Sequence, residues 1–231
     1  MKRKYDPEGS RNRILSTCVR LFLTQGYSNT VPKQIVEEAE VATGTFYHMF
    51  YSKSAVLITL CETMFENQFD VARRVVGEHA SGAMLYAVET SIQLALADLN
   101  KNLQEIYVEV YTEPRLLDLI QHKTSKELPK MFGAYLPNAE ESDYYEIEIG
   151  TSALMRGYMA RECDMYFKFD RKLELFLRMS LHAFNVPEAE IEQVVADVLK
   201  LDIRGIAEKV MHELFAQLEV KYDFKLTEEE K

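Results

Sequence analysis

Apolar residues recur at spacings of three and four along almost the whole chain, and this regularity restricts it to helices before any motif is considered. Ile14, Cys18, Leu21 and Phe22 form the first stripe, closed by Gly26. Thr30-Val31-Pro32 reads as a cap with proline in the first turn of a short helix whose inner side is Ile35, Val36 and Ala39. A third short helix covers residues 43–50. Ser52 is placed to cap a fourth that runs to about residue 76 through Leu57, Cys61, Phe65, Phe69 and Ala72, and Leu85, Val88, Ile92, Ala95, Leu96 and Leu99 mark a fifth. Residues 105–111 alternate like a strand but have no hairpin partner, so they too read as helix. Pro114 and Pro129 bracket another helix.

Two later segments differ in kind. Residues 144–167, after an acidic loop at 137–143, are apolar on three faces: Ile147, Leu154 and Tyr158, then Met155, Met159 and Tyr166, then Ile149, Ala153, Ala160 and Cys163. Residues 171–184 leave little polar surface between Leu173, Phe176, Leu177, Met179, Leu181 and Phe184. A helix built this way has to be covered on several sides, which predicts that this pair forms an interface with a second copy. Residues 188–200 and 203–219 each carry one clean stripe and are expected to be peripheral, packed on their own subunit. The fold class is all-α.

Charge divides the chain. Residues 1–53 hold eight basic residues against five acidic ones, a net of +3, which leaves −13 for the remainder because the whole chain carries −10. Five of the eight basic residues lie in the first thirteen positions, so a basic arm leads into a compact unit and an acidic body follows. Local positive potential is what phosphate binding needs, and only the first segment has it. No run of about 18 apolar residues exists to span a membrane and the start is too polar for a signal peptide, which predicts a cytoplasmic protein with no membrane partner. Cys18, Cys61 and Cys163 are too few and too far apart for a disulfide framework or a thiolate metal site, and His79, His122, His182 and His212 lack metal-ligand spacing. No cofactor and no metal are expected.

A helix at 11–25 followed by two short helices joined by a tight connection has the spacing of a helix-turn-helix, whose second helix can enter the major groove of DNA. The side chains sharpen that reading. Thr43, Thr45, Tyr47 and His48 put hydroxyls, a phenol and an imidazole on the leading end of the third helix, Gly44 removes bulk where a phosphate could approach, and Phe46 and Phe50 anchor the opposite side.

Arg13-Ile14-Leu15, Leu21-Phe22, Gly26-Tyr27, Thr30, Ile35, Ala39-x-Val41, Gly44-Thr45-Phe46-Tyr47-x-x-Phe50 and Ser52-Lys53 together resemble the DNA-binding domain of the tetracycline-repressor (TetR/AcrR) family. The resemblance implies a three-helix helix-turn-helix DNA-binding domain with its basic arm over residues 1–52, followed by a larger helical ligand-binding and dimerisation domain over residues 53–231. It implies that Thr43, Thr45, Tyr47 and His48 face a double-stranded operator, beside Gly44, and that Lys33 and Lys53 contact backbone phosphates. It also implies a homodimeric repressor released from a palindromic operator by a small-molecule effector. Tyr107, Tyr111, Met155, Tyr158 and Met159 are the candidates to line the effector pocket. This chain departs from the family pattern in three places. Glu40 stands where glycine is usual in the turn, Ala42 replaces a serine cap worth ~1 kcal/mol unless Thr43 substitutes for it, and Val31 replaces a hydroxyl residue that often touches phosphate.

Two rival functions remain at this stage: an all-helical interaction module, and an enzyme using the acidic body. The second has only carboxylate pairs such as Glu105/Glu109 and Glu109/Glu113 to work with, and the chain has no GxSxG, P-loop, GxGxxG or HExxH motif.

Overall fold

The computed structural model describes residues 6–65, 68–77 and 79–226, and the basic arm at Lys2, Arg3 and Lys4 and the tail from Thr227 lie outside them. Among the described residues the chain is helical throughout, without strands. The first helix, α1 (Pro7–Gln25), begins where Asp6 accepts the Gly9 amide at 3.0 Å, and it buries Ile14, Leu15, Cys18, Leu21 and Phe22. Gly26 ends it at φ 89°, and a Cβ there would run into the Glu105 carboxylate. In α2 (Pro32–Glu38) the cap position falls to Val31, which has no side-chain oxygen to offer. Thr30 is not the cap the sequence predicts: its buried hydroxyl donates to the Gly26 carbonyl at 2.8 Å and so closes the loop before the helix.

The turn between α2 and α3 (Thr43–Phe50) is made by Glu40 at φ 50°. The Glu40 amide donates to the Glu37 carbonyl at 3.3 Å and the Val41 amide to the Val36 carbonyl at 3.2 Å, the paired bonds of a Schellman stop that normally uses glycine. A non-glycine residue therefore holds the left-handed conformation here. Ala42 precedes α3, and no side chain caps it; Thr43 does not take over.

Beyond the first three helices come α4 (Lys53–Phe65) and α5 (Gln68–Val76), the two described parts of the helix expected to 76; the Phe65 side chain lies outside the described residues. Next are α6 (Gly82–Leu99), α7 (Lys101–Val110), α8 (Pro114–Ser125) and α9 (Leu128–Phe132), and then α10 (Glu141–Met159), α11 (Phe169–Ala183), α12 (Glu188–Val198) and α13 (Ile203–Tyr222). Side chains start α6, α7 and α8 in turn: Ser81 accepts from Met84 at 3.2 Å, Asn100 from Leu103 at 2.9 Å and Glu113 from Leu116 at 2.9 Å. The α7 assignment supports reading residues 105–111 as helix. Pro129 lies in the first turn of α9 and does not close α8.

The axis of the larger domain is α6, walled by α5, α7, α9, α10, α11, α12 and α13. Its buried residues run around the whole circumference and include Glu89, Thr90, Ser91 and Gln93. The expected helix at 144–167 stops at Met159, because Asp164 draws the Tyr166 and Phe167 amides onto its side chain at 2.8 and 2.9 Å and turns the chain toward α11. One of its three apolar faces, Ile149, Ala153 and Ala160, lies exposed, as does Met179 on α11. Leu177, by contrast, is fully buried. The C-terminal pair packs on its own subunit by single stripes, but α13 is no periphery: it lies along α6 and reaches α1.

The strained turn and the bare cap make a stability prediction. Ala42→Ser should stabilise the folded chain by ~1 kcal/mol, and Glu40→Gly by up to ~1 kcal/mol, both read as higher urea midpoints. A lower midpoint for the glycine variant would show that the left-handed turn carries no strain.

Candidate functional site

The leading end of α3 is presented to solvent. Thr43, Gly44 and His48 are exposed, Tyr47 is 50% exposed and Thr45 is half-buried. The space over Gly44 is open, since a Cβ there would meet nothing within 4 Å. On the opposite side Phe46 and Phe50 are buried with ring centroids 6.4 Å apart, and Tyr47 stands edge-on to Phe46 at 5.3 Å. One face of a short helix is thus locked into the core by two rings while the other offers hydroxyls, a phenol and an imidazole.

The cations around it do unequal things. Lys33 is exposed and meets Glu37 only at 3.9 Å, a pair that water screens. Arg11 lies over the Phe50 ring at 4.7 Å with its head exposed. Arg13 donates to the Ala39 carbonyl at 3.1 Å, and Arg20 holds Glu38 at 2.5 Å. Lys53 points inward. Its ammonium donates to the carbonyls of Tyr27 at 2.6 Å and Thr30 at 2.9 Å and sits 3.9 Å from the centre of the Tyr27 ring. Burial lowers its pKa, while Glu109 and Glu105 pull the other way. Two of the three Lys53 donors thus close the loop between α1 and α2, which leaves one for the phosphate contact expected of it.

The same junction joins the two domains. Asn102 on α7 donates to the Leu23 carbonyl at 2.6 Å, and Glu105 accepts the Ser28 amide at 3.2 Å. Arg115, at the start of α8, donates to the Tyr51 hydroxyl just after α3. Glu105 and Glu113 therefore have structural partners, the Ser28 and Leu116 amides.

Inside the larger domain, a narrow cavity of about 20 Å³, room for about one water, lies between α6, α7, α8 and α10. From α6 come Tyr86, Glu89, Thr90 and Gln93; Tyr111 follows α7, Thr124 belongs to α8, and Glu148, Thr151, Ser152 and Met155 to α10. The Tyr111 hydroxyl donates to the Gln93 side-chain oxygen at 2.6 Å, and the Gln93 amide donates in turn to Glu89. The Thr151 hydroxyl donates to Glu148 at 2.9 Å, and Gln121 donates to the Ser152 hydroxyl at 2.8 Å. Burial pushes the Glu148 carboxyl up to about 8, the Thr151 bond opposing and Glu89 adding to the rise. Burial also drives the Tyr86 and Tyr111 phenols well above their ordinary range.

Residues 14–60 match the model of the bacterial regulatory proteins, tetR family. The regulator YerO of Bacillus subtilis (strain 168) is 38% identical over 52 residues, 22% of this chain and 18% of its own. HbdR of Aromatoleum sp. (strain CIB) is 35% identical over 71 residues, 30% of this chain and 31% of its own. The match thus spans less than a third of either relative's length. Among solved structures, RolR, in complex with resorcinol, superposes with a TM-score of 0.62 at 19% identity over 82% of this chain and 94% of its own, a likeness of fold.

Residues 14–60 are thus similar to the DNA-binding segment of the tetR family, and beyond them the likeness is one of fold. In this chain the fold gathers Thr43, Gly44, Tyr47 and His48 on one exposed face with Thr45 at its edge, and leaves Lys33 near the surface at the start of α2. Of the residues expected around a pocket, it brings Tyr111 and Met155 to the cavity and not the other three. Tyr107 is buried on α7 and Met159 at the end of α10, while Tyr158 turns outward against Phe167, Phe176 and the Met179 sulfur. Glu89, Gln93 and Glu148 escaped the sequence reading, although one signal was there: polar residues in the middle of otherwise apolar helices.

The two lysines should separate in DNA titrations. Lys33→Ala should reduce the slope of log affinity against log salt by about 0.9, the loss of one phosphate contact. Lys53→Ala should leave the slope unchanged and cost ~1–3 kcal/mol of stability by stranding two carbonyls. A reduced slope with undiminished stability in the Lys53 variant would identify it as a phosphate contact.

Proposed function

We propose that this chain is a homodimeric, ligand-responsive repressor, with residues 1–52 as the DNA-binding unit and residues 53–231 as the effector-binding and dimerisation body. The observation that carries the reading is the two-sided α3: a polar, exposed leading face held rigidly by Phe46 and Phe50, with Lys33 and Arg11 free to meet phosphates. Two copies related by a two-fold axis set their α3 helices in successive major grooves about 34–36 Å apart, so the operator is a near-palindrome.

The exposed apolar strip of α10 and α11, with Ile149, Gly150, Ala153 and Gly157 beside Met179, is the surface that suits the second copy. Its small residues allow close helix approach, and a soluble chain rarely leaves such a strip uncovered. The body's cavity, which has room for about one water and has to widen for a larger guest, is the effector site. Its walls connect to the DNA-binding unit at two points: α8 begins with the Arg115 bond to Tyr51, and α7 holds α1 through Asn102 and the loop after it through Glu105. A ligand that shifts α7 or α8 therefore biases the orientation of α3, and DNA affinity falls as the population moves to the mismatched state. RolR, whose structure holds resorcinol, is a neighbour of the same fold with a small ligand bound.

Two measurements test the reading. Tyr47→Ala should abolish operator binding, against sites selected from random duplexes, with an unchanged melting temperature, whereas Phe46→Ala should cost ~3–5 kcal/mol of stability. Equal destabilisation of both variants would mean that Tyr47 is part of the core. In sedimentation, Met179→Glu and Ala153→Glu should give folded monomers; dimers that survive both charges would move the interface elsewhere.

A further inference from the structure

A second concavity opens on the outside of the larger domain, where three chain reversals meet: the elbow between α6 and α7, the loop between α10 and α11, and the start of α13. It holds about 540 Å³, inside the range of ligand pockets and far more than the inner cavity offers. Asp98 at the end of α6, Lys101 and Gln104 on α7, Glu162 and Cys163 on the loop, and Arg204 on α13 line it.

The cleft rests on buried charge. The Lys172 side chain on α11 is only 2% exposed, and its ammonium donates to Asp98 at 3.3 Å and to the Arg161 carbonyl at 2.6 Å. Arg204 donates to the other Asp98 oxygen at 2.6 Å and lies over the Phe169 ring at 4.6 Å. One carboxylate thus ties α11 and α13 to the end of α6, and the lysine fixes the loop that carries Glu162 and Cys163. Apolar side chains of the same volume would join these helices at least as well, so stability alone does not account for the arrangement. The groups facing the cleft are unevenly satisfied. Both Asp98 oxygens are engaged, but among the described residues Arg204 keeps its Nε and Nη1 donors, and the exposed Lys101 ammonium has no partner. Gln104 donates its amide to the Met159 carbonyl at 2.9 Å and keeps its side-chain oxygen, and the exposed Glu162 carboxylate is also without a partner among the described residues. Two cations with donors left and one opposing carboxylate suit an anion of single charge, whereas a doubly charged phosphate meets Glu162. Cys163 is a wall and not a nucleophile, since burial and the Asp98 carboxylate beside it raise its pKa.

We infer that this cleft is a second ligand site and that it takes a small polar carboxylate, with Arg204 and Lys101 as the cations that bind its carboxyl and Gln104 and Glu162 accepting from its hydroxyl or amino groups. The site is separate from the inner cavity and does not depend on the regulator reading. Its place bears on that reading all the same. Lys101 and Gln104 alternate along the start of α7 with Asn102 and Glu105, the two residues that hold the Leu23 carbonyl and the Ser28 amide.

The test uses the full chain in calorimetric titrations with gluconate, lactate, 4-hydroxybenzoate and L-glutamine, with glucose, putrescine and inorganic phosphate as neutral, cationic and doubly charged probes. At least one carboxylate should bind, the three controls should not, and the dissociation constant should rise with salt. Cys163 supplies a second readout. Cys18 and Cys61 are 0% and 1% exposed, so iodoacetamide on the folded chain reports on Cys163, and a bound carboxylate should slow its labelling at least about fivefold. Lys101→Glu reverses an exposed charge, so the variant should keep the parent melting temperature while losing at least about tenfold in affinity, together with the protection of Cys163. Arg204→Gln should weaken binding as much, with its melting temperature recorded alongside because it also takes a partner from Asp98. Affinity that survives either substitution, binding of phosphate, putrescine or glucose in preference to every carboxylate, or silence across the carboxylate series would each overturn the inference.

Discussion

The constraint on which the larger domain turns is the complete burial of α6. A helix walled on every side cannot leave a polar side chain to water, so Glu89, Thr90 and Gln93 must find partners inside. They find them on the segment after α7, where Tyr111 fixes the Gln93 amide and through it Glu89, and Thr90 returns its hydroxyl to the Tyr86 carbonyl at 2.8 Å. The cavity is the remainder of that arrangement, a polar seam that two apolar helices would have filled. Replacing these groups by leucines would pack better, so their presence in the core marks a site that stability alone does not explain.

Rigidity at the junction follows from the same logic at smaller scale. Lys53 spans the loop after α1 by bonding Tyr27 and Thr30, and its charge is balanced at a distance by Glu105 and Glu109 on α7. Gly26 permits this approach because any larger residue would meet the Glu105 carboxylate, which is itself holding Ser28. The helix-turn-helix unit is therefore attached through specific polar bonds as well as through apolar packing continuous with the rest of the core. From the other side α13 packs against α1 and α6 together, so the C-terminal helix braces the first helix against the larger domain.

Most of the helices were legible because their signals are local. The three-four period, the proline in the first turn of α2, the Gly26 stop and the aromatic pair Phe46/Phe50 are each fixed by residues within a few positions, and the motif around α3 adds chemistry at the same range. Glu40 was legible too: a non-glycine at that turn had either to adopt a positive φ or to move it, and it adopts one at 50°. Failures began where the deciding partner is distant or competes. Asp164 ended α10 by a local turn that an apolar pattern cannot reveal, and Thr30 bonded backward to Gly26 when it could have capped forward.

The sequence by itself determined an all-helical chain, its helix-turn-helix and the polar face of α3, since period, caps and neighbouring side chains settle these within a turn or two. Only the tertiary structure decided which charges are available and which are enclosed. Lys53 is spent on carbonyls 23 and 26 residues away, and Glu89 and Glu148 share one cavity although they lie on different helices. The physical reason is that the energy of a charged side chain depends on solvent exposure and on its nearest opposite partner, and both are set by which helices meet, a long-range outcome that no local spacing encodes.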